Sequence, residues 1–394
     1  MYFHEDCKKM KESERKQIMD TETLNRWRQD LHRHPELALD VPWTQAYLRK
    51  QLEDTGAELI ELCGHALAAW FDQGQTETLL FRADMDALPV TEQTGAPYAS
   101  RTEGRMHACG HDAHMAVLLG FAHELAERSG LPWNILLVFQ PGEENPGGAR
   151  LICETGLLET YNVTAAFGLH VWPALEAGTV ATRPGAMMAA SSETDIEITG
   201  RSVHAAKYRQ GKDALETAVK LVDRIYGQEA GLPPEVFRLL RFGHLQAGTI
   251  RNVVAGSARL EGTVRAFEPA IFQGLKDMIL QESRQLARES GCRINVHFSD
   301  GYPAVLNSSK LTEVLLKEMP EIVRLPEPEM ISEDFSFYQQ RVPSVFFFLG
   351  TGTGIPLHDS RFDLEPEVLA QGVAFWSSLL DVLCRKGSGF MQEI

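Results

Sequence analysis

Apolar and polar positions along this chain follow two different patterns. The first begins at helical spacing, in TETLNRWRQDLHRHPEL (21–37) and WTQAYLRKQLEDTGA (43–57). Two apolar runs of strand length follow, ALAAWF (66–71) and TLLFRAD (78–84). AHMAVLLGFAHELAERSG (113–130) returns to helical spacing, and Gly130 and Pro132 stop it. The strand NILLVFQ (134–140) runs into PGEENPGGAR, and a short helix, ARLICETGLL (149–158), precedes the strand TAAFGLHV (164–171). Strands alternating with helices indicate an α/β fold with a mostly parallel sheet and flanking helices. Late in the chain the pattern resumes: SVFFFLG (344–350) is continuously apolar, as a buried central strand is, and PEVLAQGVAFWSSLLDVLC (366–384) is a closing helix.

Between these halves the pattern changes. ETDIEITGR (193–201) alternates apolar and polar residues, the mark of a strand with one wet face. An amphipathic helix (213–230), two strands (237–248 and 257–267), a long helix (269–291) and a last strand (292–300) follow. The order β-α-β-β-α-β is that of a ferredoxin-like unit. The expected organisation is therefore a leader at 1–20, an α/β domain from 21–186 and 300–394, and an α+β unit inserted at 187–299. A chain of 394 residues agrees with two domains.

Charge and cysteine usage narrow the partners. The net charge of −16 argues against nucleic acid, whose phosphates need a basic surface. No apolar run is long enough to span a bilayer, and the charged start MYFHEDCKKMKESERKQIMD has no signal-peptide core. Met10 and Met19 within it are candidates for alternative starts. The six cysteines lie far apart without a CxxC pair, which suggests reduced thiols and a cytoplasmic home.

In open α/β sheets, sites form beyond the carboxyl ends of the strands. Here those ends carry Asp84 and Asp86, Glu143 and Glu144, His170, and His358, while His107-Ala108-Cys109-Gly110-His111 precedes the helix starting near Asp112. Imidazole, thiolate and carboxylate together suit zinc and similar first-row ions. The N-terminus of that helix is expected to help hold the Cys109 thiolate ionised. Adjacent glutamates can divide the labour of amide hydrolysis, one binding metal and the other taking a proton from water.

RADMDALPVTE, GRMHACGHDAHMAVLLG, VFQPGEE, FGLHVWP and the late His358 resemble the M20 metallopeptidase family. The likeness is to its aminoacylase-like amidohydrolase branch and covers about residues 24–384. It implies a zinc-exopeptidase-like catalytic domain with an inserted lid that often forms a dimer surface. It implies two divalent ions, zinc or manganese first, with cobalt and nickel possible. Cys109 would bridge the pair, His111 and His170 would hold one ion, and Glu144 and His358 the other. Glu143 would be the general base, and Asp86 a supporting acid that orients a metal-bound imidazole. In other branches a histidine stands where this chain has Asp84, and His111 replaces it. His204, in GRSVHAA, resembles a lid histidine that polarises the scissile carbonyl, although the flanking Tyr208-Arg209 and Ser202-Val203 depart from the usual pattern. Asn252 resembles a residue that binds the substrate carboxylate. His32 and His34 match a structural signature, and His107 and His114 are read as supporting or solvating the metal motif.

The expected activity is hydrolysis of N-acyl amino acids. A dipeptidase or carboxypeptidase on the same scaffold is the nearest alternative. Two further readings are a binding protein that has lost the chemistry and a hydrolase with Cys109 as nucleophile.

Overall fold

The structure is a computed structural model that describes residues 20–387 and 389–394. The expected leader, with Cys7, Met10 and Met19, lies outside the described residues apart from Asp20. The chain divides into two compact units. The first comprises the residues up to Pro184 with Asn307–Leu325 and Tyr338–Ile394; the second comprises Gly185–Leu306 and Pro326–Phe337.

The first unit is built on an eight-stranded sheet. Its order is Glu58–Glu61, Leu67–Phe71, Asn134–Gln140, Thr78–Asp84, Val163–Trp172, Ser344–Gly350, Val180–Thr182 and Val323–Arg324. The four central strands run parallel, while antiparallel partners flank them. Three of these four, Thr78–Asp84, Asn134–Gln140 and Ser344–Gly350, are buried at every position, so they read as continuous apolar runs. The short outer strands escaped the periodicity reading because two to four residues are too few to show a period.

Helix His111–Ala126 is apolar nearly all round and buried along its length, as such a helix must be. It packs against Thr21–His32 and Glu367–Lys386. Gly120 permits that approach: a Cβ there would lie 2.6 Å from both Leu24 Cδ2 and Val373 Cγ2. Glu367–Lys386 is, among the described residues, the one helix long and apolar enough to cross a membrane, yet its apolar face belongs to this core.

In the second unit a four-stranded antiparallel sheet has the order Arg293–Phe298, Ala190–Thr199, Ser257–Ala266, Arg238–Ala247. The helices Ala214–Ala230 and Pro269–Ser290 cover it through Leu221, Ile225, Leu275 and Ile279. Numbered along the chain, the strand order is 4-1-3-2, the ferredoxin-like arrangement. The expected boundary at 299 misses part of this unit. Residues 326–337 return to it because the Ala189 and Glu329 N–H groups donate to Ile331 and Met187 carbonyls, and Arg265 donates to the Met330 carbonyl. Backbone pairing between segments so far apart leaves no local sequence signal.

Candidate metal centre

The carboxyl ends of the four parallel strands converge on one group of side chains in the first unit. Asp84 ends one strand, Glu143 and Glu144 follow the next, His170 lies near the end of the third, and His358 follows the fourth. Cys109 and His111 flank the start of the buried helix. Cys109 Sγ lies 3.5 Å from His170 Nε2. Ligand atoms of Cys109, Glu144 and His358 lie within 4.8 Å of one another, as do those of His111, Glu143 and Glu144. His358 Nε2 is 3.0 Å from Glu144 Oε1.

Local backbone geometry aims these donors. Gly110 sits between Cys109 and His111 in the left-handed region, at φ 81°. A Cβ on it would come within 2.5 Å of Val171 Cγ2 and 3.3 Å of Phe362. Both constraints select glycine. Gly110→Ala is expected to destabilise the fold by about 1–2 kcal/mol from the backbone conformation alone, with overpacking added; chemical denaturation measures it. His358 is also left-handed, at φ 67°, and its N–H donates to the Ala108 carbonyl at 2.8 Å, which straps it beside Cys109.

Hydrogen bonds decide which imidazoles can act as ligands. His111 Nδ1 donates to the Asp86 carbonyl at 2.7 Å, and His170 Nδ1 donates to the Val171 carbonyl at 2.8 Å. Each ring therefore presents a bare Nε2. His111 Nε2 is buried without a hydrogen-bond partner, which fits a donor waiting for a cation. The contact expected from the Asp86 carboxylate to an imidazole is thus made by the Asp86 backbone carbonyl. The carboxylate itself accepts the backbone N–H groups of Glu143, at 2.9 Å, and Glu144, at 3.1 Å. It pins the two glutamates in place. Burial, with Asp84 and Glu144 nearby, pushes the Asp86 carboxyl up to about 8 against those two N–H groups.

Cys109 departs from expectation in its ionisation. Burial, then Glu144, Glu143 and Asp84, push its thiol well above the ordinary range. The thiolate needs a cation in the site, and this donor set of thiol, imidazoles and carboxylates fits a pair of divalent cations. A cysteine nucleophile would need the opposite shift. His170 supplies no imidazolium partner, because burial holds its ring well below the usual imidazole range.

Residues 80–382 match the model of peptidase family M20/M25/M40. The chain belongs to this family. An uncharacterized hydrolase of Staphylococcus haemolyticus is 32% identical over 379 residues, covering 92% of this chain and 98% of that protein. An N-acetyldiaminopimelate deacetylase of Lacticaseibacillus casei is 34% identical over 360 residues, covering 88% and 94%. A dinuclear metal binding M20 peptidase from Bacillus subtilis superposes with a TM-score of 0.82 at 28% identity, covering 93% and 98%. The M20 chain described here is a metal-dependent hydrolase of amide bonds.

Behind the donors of this M20 centre lies a buried ionic network that sequence reasoning missed. Arg28, fully buried, donates to Asp112 Oδ2 at 3.1 Å, to the Leu364 carbonyl at 2.9 Å and to Asp363 Oδ1 at 2.5 Å. It ties the His111 helix to the segment after His358. His32 Nδ1 lies 2.8 Å from the same Asp112 oxygen, and its Nε2 lies 3.3 Å from Glu92 Oε1. The available signal was the Asp that follows Cys-Gly-His, a carboxylate in the first turn of an apolar helix. Burial opposes the charge on His32, but Asp112 and Glu92 raise it to about 9. Its stabilising contribution is therefore fully present below about 6.5 and lost as pH rises through about 9. The expected loss is about 3 kcal/mol, and His32→Gln should flatten the stability–pH curve between those values in urea titrations.

His107 is buried with neither ring nitrogen hydrogen-bonded, and burial pushes it down to about 3, so it stays neutral. His34 stacks on Trp43 at 3.9 Å. In the second unit His204 and Asn252 lie side by side, since the Ala205 N–H donates to the Asn252 carbonyl at 2.9 Å and His204 pairs with Val253. Both are exposed.

Proposed function

We propose that this M20 enzyme hydrolyses the amide bond of N-acyl amino acids, releasing a carboxylic acid and a free amino acid. The observation that carries the reading is the gathering of Cys109, His111, Glu144, His170 and His358 beside a second, buried glutamate, Glu143. The deacetylase relative supports the acyl-amino-acid class. Two divalent cations, zinc or manganese first and cobalt or nickel after them, supply Lewis acidity to polarise the scissile carbonyl and acidify water when bound. His111 and His170 would hold one and Glu144 and His358 the other, with Cys109 shared.

Glu143 takes the proton from the attacking water and returns it to the amine nitrogen as the amide C–N bond breaks. Asp86 holds the Glu143 backbone in place through the Glu143 N–H. His204 donates to the developing oxyanion, and Asn252 hydrogen-bonds the substrate carboxylate; their neighbouring placement suits a shared substrate. The second unit serves as the lid and as the surface of a homodimer, which sedimentation velocity tests. The wide spacing of the cysteines, without a CxxC pair, suits the cytoplasm.

The deciding experiment strips metal, restores each ion in turn, and assays N-acetyl- and N-benzoyl-amino acids, N-acetyldiaminopimelate and dipeptides. Turnover of acyl-amino acids above dipeptides supports the reading. Preferential cleavage of dipeptides replaces it with the dipeptidase alternative.

A further inference from the structure

Four buried groups, Asp84, His111, His114 and His170, bring ligand atoms within 4.8 Å of one another. By composition alone any of the four could bind a cation. The hydrogen bonds separate them. His114 Nδ1 lies 2.6 Å from Asp84 Oδ1, and His114 Nε2 accepts the Val171 N–H at 2.9 Å. An imidazole that accepts at Nε2 carries its proton on Nδ1, so both nitrogens of His114 are committed. The other Asp84 oxygen, Oδ2, accepts from Arg82 at 2.7 Å. Arg82 is itself buried and also donates to Gln140 Oε1 at 2.9 Å. Both oxygens of Asp84 are therefore occupied by protein donors.

The chain of contacts ends on a proposed ligand. Val171 is held at both its polar groups: its N–H by His114, and its carbonyl by Nδ1 of His170. The His114 ring also packs edge-on against the His170 ring, with centroids 4.5 Å apart, and lies tilted beside the His111 ring at 5.5 Å. Turning His170 away would disturb the peptide that His114 fixes.

We propose that Asp84 and His114 are a positioning pair, not ligands: Arg82 and Asp84 fix the tautomer of His114, and His114 fixes the strand end that aims His170 Nε2 at Cys109. This rests on the two-cation reading of the site. It also gives Asp84 a definite task.

The test uses the full chain with isotope-labelled histidines, loaded with the NMR-active cadmium isotope. Cadmium–nitrogen couplings are expected at Nε2 of His111 and His170 and absent at His114, whose Nδ1 proton persists with and without cadmium. A coupling at His114 overturns the proposal while leaving the metal centre standing. No coupling at any imidazole removes the metal-centre reading, and the proposal with it. In a second arm, His114→Leu is expected to weaken one of two cadmium equivalents about ten- to hundred-fold. His114→Gln, whose amide offers both a donor and an acceptor, is expected to stay close to wild type. Equal, unchanged affinities in both variants overturn the positioning role. The coupling measurement on the unaltered chain decides the case even where the leucine variant fails to fold.

Discussion

Glu143→Gln should lower kcat about 10²–10⁴-fold, the range that a positioned acid–base group contributes, while metal content by elemental analysis stays at the wild-type level. Glutamine keeps the shape of the side chain and the backbone bond to Asp86, so the site stays assembled. The loss corresponds to about 3–5 kcal/mol of barrier. The neighbouring glutamate cannot take over. Glu144 lies against His358, and that contact, with His111 and Cys109 close by, holds it below the ordinary carboxylate range despite burial. A group stabilised as the anion by its neighbours is a poor proton acceptor and a good ligand. A variant that kept wild-type kcat would move the base elsewhere.

Cys109→Ala should have the larger effect on metal. One side chain lies near donors of both proposed ion positions, His170 on one side and Glu144 and His358 on the other. Its removal is expected to weaken both equivalents by more than the ten- to hundred-fold that loss of an outer partner produces, with activity falling in parallel. The pH dependence adds a sharper signature. The thiol is raised, so the metal-free chain holds it protonated at neutral pH, and ion binding must expel that proton. Wild-type affinity therefore falls as pH falls. The variant should release one proton fewer per chain, which calorimetry in buffers of different ionisation enthalpy measures. An unchanged proton count would take Cys109 out of the ligand set. The same experiment separates metal from nucleophile, since a cysteine nucleophile predicts no coupling between thiol ionisation and metal.

The chemistry of the site was visible in the chain because residue type alone carries it. Asp, Glu, Cys and His at successive strand ends are donors whatever their neighbours do, and the apolar runs that place them are buried in the structure as their composition requires. The ferredoxin-like order of the second unit was legible for the same reason, since its strands and helices each show a full period.

What each donor does was not legible, because that depends on partners distant in sequence. Three histidines, at 111, 114 and 170, look alike in the chain; hydrogen bonds to Asp86, to Asp84 and at Val171 leave His111 and His170 each a bare Nε2 and leave His114 none. Arg28 and Asp112 stand 84 positions apart and meet without exposure to water. Asp86 orients an imidazole through its carbonyl, an atom every residue has. The ionisation of Cys109 in the metal-free chain is set by burial beside three carboxylates, Asp84, Glu143 and Glu144, all distant in sequence. Sequence determined the kinds of atom that could meet at the strand ends. Tertiary structure alone decided tautomer, charge and partner, because each is set by the dielectric and the hydrogen bonds that folding creates.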